Sequence, residues 1–241
     1  MPIRSHVHGD VHVVTVERPE RRNAIDHEHL DALDAAVRAA EQGGARALVL
    51  TGAQGHFCAG ADLTELEDVA FTERLAEVLG HLASLPVTTV AAISGSCMGL
   101  GMQLAVACDV RVATDDARYA VPVARLGLMV DHWTLERAAR CWGEGAARHM
   151  VLTAAVLDAD DAWRLGFVQR RGDLDDALEL ATSAARLAPL TQAGSKTGLD
   201  ARTPDDLARY RDAFATAWAS ADLQEGRAAF ADRRHPTFEG R

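Results

Sequence analysis

The chain has no apolar run near the ~18–20 residues that a membrane-spanning helix needs, so the sequence predicts a protein without a membrane span. Its opening, Met1-Pro2-Ile3-Arg4-Ser5-His6, lacks the apolar core of a secretory leader. The four cysteines (Cys58, Cys97, Cys108, Cys141) contain no CxxC pair, which suits a reducing compartment. The expected location is therefore cytoplasmic. Basic charge is scarce, with 25 Lys+Arg against 35 Asp+Glu and a net charge of -10. That sign disfavours nonspecific nucleic-acid binding. A polyanionic ligand would depend on local basic side chains or backbone N–H groups, because the overall field opposes it. There is no GxSxG and no Walker A motif, and Gly99-x-Gly101 lacks the third glycine of a dinucleotide fingerprint. Neither a solenoid-period repeat nor a low-complexity linker occurs.

What is present is an ordinary globular mix, 48% hydrophobic and 25% charged over 241 residues. That length allows one large domain or a domain with an appendage. His6-Val7-His8 and Val11 to Val16 read as two strands joined by a Gly9-Asp10 hairpin turn. Asp26 suits the N-cap of a helix over 27–42 with Leu30, Leu33, Val37 and Ala40 on one face, stopped by Gly43-Gly44. Strands are predicted over 45–51, 87–94 and 109–113. A helix carrying Leu75, Leu79 and Leu82 ends before Pro86, and a buried helix spans 100–107. The segments 52–63 and 95–99 read as loop and turn. This alternation argues α/β. From Asp131 onward the pattern is mostly helical, over 131–141, 144–154, 159–165, 174–188, 190–200, 204–221 and 224–233. The last helices carry Leu207, Tyr210, Phe214, Trp218 and Phe230, which suit packing against something further, such as another subunit.

Two glycine-bearing segments each follow a strand: Gly55 to Leu63, and Ala92 to Gly101, which opens a helix. Small residues there admit a ligand close to the backbone, and orphan N–H groups at a helix start favour an oxygen bearing negative charge. Side by side, two such turns would make an oxyanion hole; taken singly, each is equally well a plain strand-to-helix turn.

These segments, with Arg18-Pro19-Glu20-Arg21-Arg22-Asn23-Ala24-Ile25, the run Gln103 to Asp109 and the tail Glu225 to Phe238, strongly resemble the enoyl-CoA hydratase/isomerase (crotonase) family in order and over nearly the whole chain. The resemblance implies a crotonase (ClpP-like) spiral of ββα units over 1–188 and a C-terminal α-helical trimerisation region over 189–241. It implies a homotrimer or hexamer and, as ligand, a coenzyme A thioester with no further cofactor. It places the two oxyanion N–H donors at Ala61 and Leu100. Ala59, Asp62 and Leu63, with Arg22 and Ala24, match the CoA-binding stretches, Arg22 near the phosphates. Val123, Leu128 and Trp133 fall on the acyl pocket.

Hydratases of this family use two glutamates, and those positions hold Gln103 and Val123 here. Glutamine can position a water, whereas valine offers nothing polar. A general acid/base group contributes ~10²–10⁴-fold, so efficient hydration is not expected. Asp131 matches an aspartate of the dienoyl-CoA isomerase branch and could act as a lone acid/base; it also suits the N-cap of the helix that follows. Those isomerases carry acidic groups at the other two positions as well, so the match is partial. The chain is most similar to a mycobacterial-type branch that shares its Gln-Leu-Ala and Leu-x-x-Asp-x-Trp features. The resemblance therefore implies an acyl-CoA binder with weak or absent hydration. The alternatives are an active hydratase or isomerase using Asp131, or an assembly partner of lipid enzymes. His6, His8 and His12 read as strand-surface side chains, since no carboxylate or cysteine completes a metal set. Cys58 and Cys97 read as packing residues with no histidine–acid relay beside them. His56 and His132 are the histidines nearest the expected pocket, and Arg233-Arg234 read as a solvated helix end.

Overall fold

The computed structural model describes residues 2–62 and 69–241. β1 (Ile3–His8) and β2 (Val11–Val16) form the expected antiparallel hairpin, with Gly9 at φ +59 in its turn. β1 starts at Ile3, earlier than the sequence pattern indicates. Asp26 caps α1 (His27–Gln42) by accepting from the His29 amide at 2.9 Å, and Leu30, Leu33, Val37 and Ala40 are buried. Gly44, at φ +71, takes the chain out of the helix and into β3 (Ala47–Gly52). Then follow α2 (Val69–Ser84), β4 (Thr88–Ile93), β5 (Ser96–Met98), α3 (Leu100–Ala107), β6 (Val110–Ala113) and β7 (Arg118–Ala120).

The second half holds α4 (His132–Trp142), α5 (Glu144–Thr153), β8 (Leu157–Asp158), α6 (Ala159–Arg164), β9 (Arg170–Arg171), α7 (Leu174–Ala185), α8 (Pro189–Asp200), α9 (Pro204–Ala219) and α10 (Ala221–Asp232). All seven predicted helices are present. β8 and β9 fall in the gaps between predicted helices, where the sequence reading placed no strand, and the predicted turn at 95–99 contains β5.

The main sheet runs β1-β2-β3-β4-β6-β9, parallel throughout except for the β1/β2 hairpin. The central strands β2, β3 and β4 are covered on both faces and are accordingly apolar on both sides, whereas the edge strand β1 is largely exposed and polar. Val14, Val16, Leu48, Leu50, Ala91 and Ile93 face the larger core with α1 and α2. The alternate residues Val11, Val13, Val49, Val90 and Ala92 face α7. Ala177, Ala181 and Ala185 recur every fourth residue along α7 and are buried, a stripe of small side chains that lets this helix lie close to the sheet. A second sheet, β5-β7-β8, stands at the carboxyl end of β4. It carries the chain from β4 into α3, and so sets where α3 begins.

α9 buries none of its residues, and Phe214, Trp218 and Phe230 are exposed along α9 and α10. Among the described residues no helix is long and apolar enough to cross a membrane.

Candidate functional site

The loop after β3 is held by backbone on two sides. The amides of Phe57 and Cys58 donate to Ser94 and Ser96 carbonyls, and the Met98 amide donates to the Cys58 carbonyl at 2.9 Å. On the other side Ala59 N–H donates to Arg22, Ile25 N–H to Gly60, and Asp62 N–H to Ile25. The Arg18–Ile25 segment is fixed in turn by Asn23. This fully buried residue donates from Nδ2 to the carbonyls of Ala53 (2.8 Å) and His56 (2.6 Å) and accepts the Arg18 amide on Oδ1. Between these clamps the Ala61 N–H has no acceptor among the described residues.

The second turn abuts the first. Gly99 sits at φ +50, and its amide donates to the Ala120 carbonyl on β7. Leu100 then opens α3, so its N–H is one of the helix's orphan donors. The packing requires glycine at 101, because a Cβ there would come 2.3 Å from the Cys58 carbonyl oxygen. The two turns are thus in backbone contact.

Ala61 and Leu100 line one cavity of about 300 Å³. Gln103 lies one helical turn beyond Leu100 on the same face of α3 and lines it too. Val123, Leu128 and Asp131 form another side, and α2 contributes Phe71, Leu75 and Leu79. The turn Pro122–Arg125 shapes that side: Gly127, at φ +69, brings Leu128 back to donate to the Val123 carbonyl at 3.0 Å. Leu126, Leu128 and Met129 leave an apolar, solvent-exposed lip, with Met129 88% exposed.

Of the residues singled out from sequence, Ala59, Ala61, Leu100, Gln103, Val123, Leu128 and Asp131 line this one cavity. Trp133 does not. Its ring lies under the Arg137 guanidinium, 5.0 Å from the centroid, in a neighbouring cleft with Pro86 and Lys196. α4 turns that position away from the first cavity. Asp62 also lies outside the lining. It is buried, with its carboxylate 2.8 Å from Arg18 Nη2, and Arg18 also pairs with Asp26 at 3.0 Å. Arg22, at φ +50, is exposed, and Ala24 is half-buried with its carbonyl on Arg18 Nη1. Leu63 lies outside the described residues.

Asp131 is solvent-exposed rather than enclosed among Leu128, Met129 and Trp133. It heads α4, yet its side chain caps no backbone N–H. Instead its Oδ1 accepts the Thr134 hydroxyl, and Thr134 Oγ1 accepts from Gln103 Nε2 at 2.9 Å. Thr134 was not visible as a site residue. The only trace in sequence is its i,i+3 spacing from Asp131, which any helix start can show.

The buried cysteines Cys58, Cys97 and Cys108 carry no nucleophile. Burial pushes the Cys58 and Cys108 thiols up to about 12, and Cys97 is raised as well. His56 accepts the Ser96 amide on Nδ1 and does not line the cavity; nor does exposed His132. Arg234 is held by both oxygens of Glu225.

A largely parallel sheet whose strands feed two adjoining turns beside one mostly apolar cavity is the architecture of the crotonase fold. Solved structures agree. An enoyl-CoA hydratase subunit from Geobacillus kaustophilus superposes with a TM-score of 0.89 at 29% identity, covering 100% of this chain and 99% of that one. An enoyl-CoA hydratase from Bacillus anthracis gives 0.91 over 100% of both chains at 24% identity, a likeness of fold. Among curated proteins, a Mycobacterium tuberculosis protein named probable enoyl-CoA hydratase echA6 is 40% identical over 233 residues, 95% of this chain and 96% of that one. The one named echA8 from the same species is 31% identical over 247 residues, 96% of this chain and 95% of that one. The enoyl-CoA hydratase/isomerase family model matches residues 6–241, and the chain belongs to that family.

Proposed function

We propose that this protein binds fatty acyl-CoA thioesters through the backbone amides of Ala61 and Leu100 and that its hydration of enoyl-CoA is weak or absent. The observation that carries this reading is the pairing of two amides that have no acceptor among the described residues with a cavity whose walls at Gln103 and Val123 hold no carboxylate. Donors of this kind stabilise a developing thioester enolate by ~2.7–4 kcal/mol each. They also hold a ground-state carbonyl, which needs no proton shuttle. The reading calls for no cofactor beyond the CoA thioester itself. Calorimetric titration with a long-chain acyl-CoA tests it: saturable binding supports it, and its absence overturns it. Hydration of the matching 2-enoyl-CoA, assayed alongside, is expected to be near background.

Because Asp131 lines the same cavity, a second reading stands beside it: an enoyl- or dienoyl-CoA isomerase, or a slow hydratase, with Asp131 as sole acid/base. Comparison of turnover by the native protein and Asp131→Asn separates the two, and equal rates dismiss Asp131. The exposed aromatic face of α9 and α10 supports assembly as a homotrimer or hexamer.

A further inference from the structure

We infer that Thr134 and Asp131 are positioning residues that fix the polarity of the Gln103 amide, so that the site selects acyl thioesters bearing a hydrogen-bond donor at C3, such as a 3-hydroxyacyl group. This rests on the acyl-CoA reading of the cavity and deepens it. Geometry alone does not orient a glutamine amide, whose oxygen and nitrogen look alike; the network does. A carboxylate can only accept. Asp131 Oδ1 therefore takes the single hydroxyl proton of Thr134. Thr134 Oγ1 is then left as an acceptor toward Gln103, and only Nε2 can satisfy it, at 2.9 Å.

The proton order along the chain thus runs from Gln103 through Thr134 to Asp131, and it leaves Oε1 as the uncommitted end of the amide. Gln103 is 7% exposed. Its Oε1 has no partner among the described residues and is not among the fully buried unpaired atoms. Gln103 lines the cavity, whereas Thr134 does not. Val123, Leu100 and Leu79 line the same cavity, with Thr72 and Asp131 as its other polar side chains, so the Gln103 amide offers a neutral acceptor in mostly apolar surroundings. A C3 hydroxyl can donate to it. A C3 ketone presents a second acceptor and is repelled, and a saturated chain leaves Oε1 dry.

The test is competitive binding of three CoA thioesters of one chain length: saturated, 3-hydroxy and 3-oxo. A single neutral hydrogen bond contributes about 2- to 12-fold in affinity. The native protein is expected to prefer the 3-hydroxy over the 3-oxo thioester by at least that factor. Thr134→Val frees the amide to rotate, and Asp131→Asn removes the acceptor-only end; in both the ratio is expected to fall toward one. Thr134→Ser keeps the hydroxyl and is expected to keep the ratio. Reading a ratio cancels general losses of folding or of CoA affinity, and Asp131→Asn, at an exposed position that caps no backbone N–H, stands in should the valine variant not fold. If the saturated thioester binds but the native ratio is one, or Thr134→Val leaves it unchanged, the inference is overturned while acyl-CoA binding stands. If none of the three binds, the acyl-CoA reading itself has failed.

Discussion

Gln103 on α3 and Thr134 on α4 are joined by a 2.9 Å hydrogen bond from the glutamine Nε2, thirty-one residues apart in sequence. That bond couples the residue standing where a hydratase glutamate is expected to the helix that carries Asp131. A glutamate at 103 could not donate, so Thr134 would have to turn its proton from Asp131 toward the new carboxylate. Since Gln103 and Val123 line the same cavity, the pair Gln103→Glu with Val123→Glu would restore two carboxylates to it. Hydration of a short 2-enoyl-CoA is expected to rise by at least ~10²-fold over the native protein, read as loss of the enoyl-thioester absorbance. Neither single change should recover it. No gain from the double change would mean that the surrounding walls, and not the missing carboxylates, block the reaction.

The contact between the two turns rests on Gly101. A methyl group there meets the Cys58 carbonyl oxygen at 2.3 Å and the Cys58 Cβ at 3.0 Å, both fixed by the β5 pairing. Gly101→Ala must therefore push α3 away from the 58–61 loop and separate the Ala61 and Leu100 amides. Overpacking of this sort costs ~1–3 kcal/mol, which for a chain of this size lowers the melting midpoint by about 2–4 °C per kcal/mol. Acyl-CoA affinity is expected to fall at least tenfold further than the stability loss explains. Gly80→Ala on α2 is the control: a Cβ there meets nothing within 4 Å, and alanine in a helix is stabilising by ~0.5–1 kcal/mol. Calorimetry on both variants, above and below the midpoint of Gly101→Ala, separates the two effects.

A pH effect on stability should originate far from the cavity, where α1 meets α2. Burial pushes the Asp34 carboxyl up, but hydrogen bonds from Arg74 (2.7 Å), Arg38 (3.0 Å) and His81 (3.1 Å) outweigh it and hold the group at about 2. A folded-state value below the unfolded 3.8 means that the unfolded chain binds the proton more readily. The contribution is therefore complete above pH 3.8 and disappears as pH falls toward 2. It amounts to roughly 1–2 kcal/mol once screening around the exposed Arg38 is allowed for. Asp34→Asn should flatten the stability profile between pH 4 and 2 and lower stability at neutral pH by about that amount. Denaturant midpoints at pH 7, 4 and 2.5 would decide it, and a native-like slope in the variant would assign the acid sensitivity elsewhere.

Sequence reading reached the parts of this molecule that obey local rules. α1 is bounded to the residue because Asp26 caps it and Gly43-Gly44 ends it. α3 is likewise bounded because a strand and a glycine pair precede it and Cys108 follows in extended conformation. β5, β7, β8 and β9 went unseen, since two or three residues give no periodicity, and their pairing is dictated by partners distant in sequence. The same limit divides the site. Ala61 and Leu100 carry backbone signals and fall in one cavity, whereas Trp133 and Thr134, adjacent in sequence, part company at the first turn of α4. Trp133 goes under Arg137 in the outer cleft and Thr134 goes inward to Gln103. Only the rotation of α4 against α3 decides which of the two meets Gln103.

The thiols offer a direct check on how tightly the two turns are packed. Cys58, Cys97 and Cys108 are fully enclosed, and burial holds all three thiols far above neutral pH. Only the thiolate reacts. Native protein at pH 8 is therefore expected to show no fast-reacting thiol at these three positions, leaving half-buried Cys141 as the one accessible site. All four should react in denaturant. Peptide mapping after a brief alkylation identifies the modified residue. Rapid labelling of Cys58 or Cys97 in the native state would mean that the 57–62 loop opens readily, and an amide pair mounted on such a loop could not be preorganised.

The C-terminal helices carry the remaining prediction. Phe230 is 88% exposed and Trp218 59% exposed, and both border an apolar hollow of about 610 Å³ between α8, α9 and α10. Exposed apolar area of this kind marks an interaction surface, and a closed ring of identical chains would cover it without leaving open ends. If a second copy covers it, Phe230→Asp places a charge in a desolvated contact and should shift the sedimenting species from an oligomer to a monomer. α10 itself should survive, because Ser220 caps it through the Leu223 amide and Asp222 holds the amides of Glu239 and Gly240 at 2.8 and 2.9 Å, none of which involves Phe230. Sedimentation velocity and far-ultraviolet circular dichroism on the same sample separate dissociation from unfolding. A variant that keeps its helicity and the native sedimentation coefficient would show that copies of this chain do not meet through the Phe230 face.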